Sequence, residues 1–194
     1  MIGPSTDLTP AAWVTESCRT EPWGRLVAMG PSGYEAYARL RFLPDPTAAG
    51  QEEGDVDPDV EDPRHEEPGA LFRACATLAP FTATPDALHV ALWEGWGLEL
   101  ELPRFHLHSP DVRGAMRSYW LFTAGSSDLS GWPHEPPAMV WPDDRAWFVA
   151  YDVDPHYAGV AGSREAIVAL LADPSVDAVG ADLLAEQPGY GRIS

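Results

Sequence analysis

His106 and His108 stand two residues apart, alternating with Phe105 and Leu107. Residues i and i+2 of a β-strand project from one face, so an extended Arg104–His108 segment would set two imidazoles side by side. Zinc needs a third donor and a second shell, and Asp152, Asp154, His156 and His134 carry suitable groups. This pattern predicts, as one alternative, a metal-dependent hydrolase built on His106, His108 and Asp154, with zinc as its cofactor. The blander expectation is a solvated strand face. Asp152 and Asp154 likewise share a face if the strand begun at Trp147 runs that far, and paired carboxylates can divide acid and base work if one is desolvated. An acidic strand end before Pro155 accounts for the same two residues without chemistry.

Trp93 and Trp96 bracket Glu94-Gly95, and tryptophan beside glycine can form a flat wall for a ligand or a partner side chain. A small-ligand sensor with a pocket lined by these rings is a second alternative. Arg39 and Arg145 are candidates for bidentate contacts to carboxylate or phosphate, with internal pairing to the chain's own acids as the plainer reading.

Established catalytic templates fail. There is no G-x-S-x-G, and Gly95-Trp96-Gly97 runs on into Leu98, Glu99 and Leu100 without completing a dinucleotide fingerprint. His65-Glu66 and His134-Glu135 each lack the second histidine of a zinc-protease helix. The chain contains neither lysine nor asparagine, so all 12 basic residues are arginine. Schiff-base chemistry and the P-loop both require lysine and are excluded.

The net charge of −18 repels phosphate backbones and anionic membrane surfaces, and it favours encounter with a basic protein. No nucleic-acid or membrane partner is expected. Half of that charge falls in residues 44–70, where ten acids accompany only Arg64. This Pro-rich stretch has no aromatic residue and only Val56 and Val60 as branched aliphatics, too little burial to offset ordering, so a flexible exposed loop is expected. A calcium reading of Glu52, Glu53, Asp55, Asp57 and Asp59 lacks the glycine and terminal glutamate of an EF-hand loop. Cys18 and Cys75 show no C-x-x-C spacing, and neither a signal-peptide pattern nor an apolar stretch of membrane-spanning length occurs, so a reducing, cytoplasmic location is expected.

The elements that must position these residues follow from periodicity and punctuation. Pro10 in the first turn predicts a helix from Thr9 to Cys18. Strands are expected at Gly24–Met29 and Tyr34–Phe42, the second with Ala36, Ala38, Leu40 and Phe42 inward and Arg39 and Arg41 outward. A helix follows through Leu71, Phe72, Cys75 and Leu78. Further strands are read at 88–94, 104–108, 117–123 and 147–154. Ser163 caps a last helix ended by Pro174, and 175–179 reads as a short edge strand. The result is a single α+β domain over 1–194, with a mostly antiparallel or mixed sheet of about five to six strands and about three helices.

Three stretches, Pro31–Arg39, Ala91–Gly97 and Trp141–Trp147, together with the tail from Asp152 to Leu171, resemble a group of uncharacterised actinobacterial proteins with no assigned function. Where that group usually carries His-Pro after the first strand, this chain has Phe42-Leu43-Pro44. Trp147-Phe148-Val149-Ala150 followed by Asp152 is similar, more loosely, to SUKH-type immunity proteins. The leading expectation is an uncharacterised intracellular binding protein that neutralises or regulates a basic protein partner, without cofactor or catalytic residues, using Trp93, Trp96, Arg39, Arg145 and Asp152.

Overall fold

The chain's apolar residues alternate with a period of two along strand after strand, and in most of these strands the intervening positions are apolar or small as well. Such strands must be covered on both faces. In Leu88–Trp93, for example, Leu88, Val90 and Leu92 enter one core while Ala91 and Trp93 enter another. The computed structural model, which describes residues 1–56, 62–109 and 116–191, resolves that pattern into a sheet between two helical layers.

Among the described residues nine strands form the sheet: β1 (Gly3–Pro4), β2 (Ala36–Arg41), β3 (Leu88–Trp93), β4 (Arg104–His108), β5 (Met116–Ala124), β6 (Met139–Pro142), β7 (Trp147–Ala150), β8 (Tyr157–Gly162) and β9 (Ala178–Ala181). Their order is β1-β5-β3-β6-β7-β8-β2-β9, with β4 beside β1 along the outer edge of β5. Every pairing is antiparallel. Four α-helices cover the faces among the described residues: α1 (Ala12–Ser17) and α2 (Trp23–Met29) on one side, α3 (Gly69–Leu78) and α4 (Arg164–Ala172) on the other.

The α+β class and the antiparallel sheet agree with the expectation, and the nine strands exceed the five or six expected. Gly24–Met29 is corrected from strand to helix. The apolar run within it, Leu26–Met29, is four residues and too short to distinguish the two by period. Here Glu21 closes the element at both ends, accepting from Arg25 at 3.0 Å and from the Ser32 backbone N–H at 2.9 Å. The strand read over 147–154 ends at Ala150, which frees Asp152 and Asp154 from a common strand face. Thr9 opens a 3₁₀ turn before α1, and its N–H is taken by Asp7 at 2.9 Å. The Ser163 cap stands as read: its hydroxyl accepts from the Ala166 N–H at 3.2 Å.

Residues 44–70 are exposed over most of their described length yet tied to the body at several points. Asp45 pairs with Arg39 and Arg41, His65 pairs with Asp177, and Tyr151 donates its hydroxyl to Glu67. Asp57 and Asp59 of the calcium reading lie outside the described residues. Cys18 and Cys75 belong to the cores on opposite faces of the sheet. No helix among the described residues is long and apolar enough to cross a membrane.

Candidate functional site

Antiparallel pairing brings alternate strand ends together. The C-terminal ends of β2, β3, β4 and β7 and the N-terminal ends of β5, β8 and β9 all meet at one end of the sheet. Charged side chains collect there in two nodes, on either side of the β7–β8 connection.

The first node is centred on Arg117, near the start of β5. Its guanidinium pairs with Asp152, reaches to 4.0 Å from Asp154, and lies over the rings of Trp93 at 5.0 Å and Trp23 at 5.9 Å. Burial works against the arginine's charge, and the Asp152 contact outweighs it, so its pKa rises. Trp93 packs on the α1–α2 face, while Trp96 crosses to the α3–α4 core, their rings meeting edge to face at 6.1 Å.

The second node joins residues far apart in the chain. Asp45 accepts both guanidinium nitrogens of Arg39, one nitrogen of Arg41 at 3.3 Å and Nε2–H of His156 at 3.2 Å. The Arg39 contact, opposed by burial, holds its carboxyl down at about 2. His156 is lowered by burial, which Asp45 only partly offsets, so the ring is neutral and donates Nε2–H. Arg41 also binds Asp177 at 2.7 Å, and His65 meets the same carboxylate at 2.9 Å. Arg39 is 5% exposed, contrary to its expected outward position, because Asp45 and the Tyr157 ring close over its guanidinium. Its guanidinium lies 5.2 Å from the centre of the Tyr157 ring.

Beside this node opens a cleft of about 580 Å³, walled by His156, Tyr157 and Tyr190 and rimmed by Glu52, Glu53 and Asp154. The His156 ring meets both tyrosines edge to face, at 5.3 Å and 4.9 Å. Tyr190 is held by its hydroxyl on the Pro44 carbonyl at 2.5 Å.

The structure thus gathers Trp93, Asp152 and Asp154 at one node and Arg39 at the next. Arg145 is at the opposite end, in the β6–β7 turn, with φ 57° and its guanidinium 4.9 Å above Trp13. His106 and His108 are exposed on edge strand β4, rings 6.5 Å apart, and His106 Nδ1 meets the Ser118 hydroxyl at 3.0 Å. Among the described residues no third histidine, cysteine or carboxylate joins them in a metal-holding cluster. Asp154 belongs to the Arg117 node instead.

Sequence reasoning missed Arg117, Asp45, Tyr157 and Tyr190. Arg117 carried a usable signal: the period of β5 puts it on the face of Tyr119 and Leu121, so a charge there had to find a partner. No protein-family model matches the chain, and no curated protein or solved structure is similar to it.

Proposed function

We propose that this chain is a non-catalytic, cytoplasmic binding protein that neutralises or regulates a basic protein partner. One observation carries the reading: the arginines are turned onto the chain's own carboxylates. Of the ten described arginines, Arg19, Arg25, Arg39, Arg41, Arg64, Arg104 and Arg117 pair internally. Arg73 donates to the Ser175 and Pro63 carbonyls. With 30 acids to 12 basic residues, the outward-facing charge is overwhelmingly negative, among it Glu52, Glu53, Asp55, Glu99, Glu101 and Asp154, all exposed. Such a field speeds encounter with basic proteins and repels acidic ones.

The experiment is capture from a lysate of the native host at low salt and again at about 1 M salt, where the screening length is about 3 Å. A basic protein retained in the first condition and released in the second is expected, and its direct titration against the purified chain must reproduce the salt dependence. Recovery of no salt-sensitive basic protein overturns the reading.

A further inference from the structure

We infer that the cleft between Tyr157 and Tyr190 receives the guanidinium of an arginine side chain presented by the basic partner. This rests on the reading above and names the contact by which it would work.

Charge balance selects the ligand's sign. Within the adjoining nodes Arg39 and Arg41 are matched by Asp45 and Asp177, and Arg117 is matched by Asp152. Glu52, Glu53 and Asp154 on the cleft rim remain in surplus. The Glu53 carboxylate has no hydrogen bond or ion pair among the described residues, and its charge is felt inside the cleft. Burial first, and Glu53 next, raise the pKa of the Tyr190 phenol.

Shape and chemistry select a guanidinium over other cations. Of the aromatic walls, His156 and Tyr157 are buried and Tyr190 is the ring left half-exposed, and such a ring attracts a cation to its face. A guanidinium is flat enough to stack on a ring while its N–H fork meets a carboxylate in the same plane, and an ammonium group is not. Tyr157 already takes such a group from within the fold, from Arg39. The cleft repeats that pairing at the surface, with Glu53 and Asp154 in the place that Asp45 occupies for Arg39.

The test is calorimetric titration of the full chain with a pentaarginine peptide at low salt, with pentalysine as the second probe. The double variant Glu53→Gln/Asp154→Asn and the single variant Tyr190→Ala should each weaken pentaarginine binding by about tenfold or more, which is about 1.4 kcal/mol. Glu99→Gln/Glu101→Gln removes the same charge from exposed positions outside the cleft and should cost less than about threefold, the screened long-range share. Tyr190→Phe keeps the ring but frees it from the Pro44 carbonyl, and should bind more weakly than the parent and more tightly than Tyr190→Ala. Pentalysine should bind about tenfold more weakly than pentaarginine.

Equal weakening by the two double variants, unchanged binding by Tyr190→Ala, or equal affinity for the two peptides would overturn the cleft assignment while leaving the basic-partner reading in place. Competition by free arginine at micromolar concentration would make the amino acid the ligand and overturn the partner assignment. Failure of the parent chain to bind either peptide would overturn both.

Discussion

Gly159 in β8 lies directly beneath Met29 at the end of α2. A Cβ at position 159 would overlap the Met29 Cα and the Ala28 carbonyl oxygen, and would stand 2.9 Å from the Met29 carbonyl carbon. These are backbone atoms and cannot swing aside. The helix therefore rests on the sheet backbone at this point, and Met29 and Leu26 reach the core beneath it because nothing intervenes.

Gly159→Ala is accordingly expected to lower stability by about 2–4 kcal/mol, the range of overpacking where the backbone must shift. Gly180→Ala in β9, where a Cβ meets nothing within 4 Å, should stay within about 0.5 kcal/mol of the parent. Urea denaturation of the two variants checks this. Equal midpoints for them would mean that α2 is not seated on β8.

The same glycine shows why part of this fold was legible in the sequence and part was not. Ala36–Arg41 alternates cleanly, and the Ser163 cap with Pro174 beyond brackets α4, so both elements announce themselves. Tyr157–Gly162 reads Tyr-Ala-Gly-Val-Ala-Gly, every residue buried, with Gly159 present to admit α2. A strand covered on both faces carries no polar alternation, and small residues blur what period remains. Met139–Pro142 escaped similarly, flanked by prolines and buried throughout. The site was legible by halves. Arg39, Asp152 and Trp93 stood out as residue types, but the links from Asp45 to His156 and from Arg117 to Asp152 span 111 and 35 residues. Strand order creates those links, and local pattern does not encode it.

The Arg117–Asp152 pair is enclosed enough that each charge depends on the other, with side chains 20% and 8% exposed. Removing one partner strands the other in a poorly hydrated place. Asp152→Asn is expected to cost about 2–3 kcal/mol, and Arg117→Leu a similar amount. The double variant should cost clearly less than the two combined. A double-mutant cycle by urea denaturation reads the coupling, and a value below about 0.5 kcal/mol would mean the pair contributes nothing as a pair.

Acid should loosen this end of the sheet in two stages. His156 has its pKa lowered below 6.5 by burial. A histidine that is neutral when folded and protonates more readily when unfolded stabilises the fold above about pH 6.5, and that contribution is lost as pH falls. Asp45, held at about 2 against an ordinary 3.8, contributes above pH 3.8 and loses that contribution between there and about pH 2. Both signs point the same way. Melting temperature should fall from pH 7 to 5 in the parent, fall less in His156→Gln, and drop again below pH 4. Equal slopes for parent and His156→Gln between pH 7 and 5 would remove His156 from the account.

Gly95 offers a way to move Trp93 without removing it. A Cβ at 95 would overlap Cζ2 and Cε2 of the Trp93 indole, which is the movable far end of a side chain, so the ring can swing where a backbone could not. Swinging it takes the ring off Arg117, whose guanidinium lies 5.0 Å from the ring centre, and away from the Trp96 edge. The cation–π contact is worth about 0.5–2 kcal/mol depending on how dry it is, and the lost packing adds to it. Gly95→Ala should therefore cost about 1–2 kcal/mol, much less than Gly159→Ala, and should alter tryptophan emission. The part of the emission change due to Trp93 is identified by repeating the substitution in a Trp93→Phe background, where it should vanish. A Gly95→Ala protein with parental emission and stability would mean that the indole does not occupy the space above residue 95, and that Arg117 is positioned by Asp152 alone.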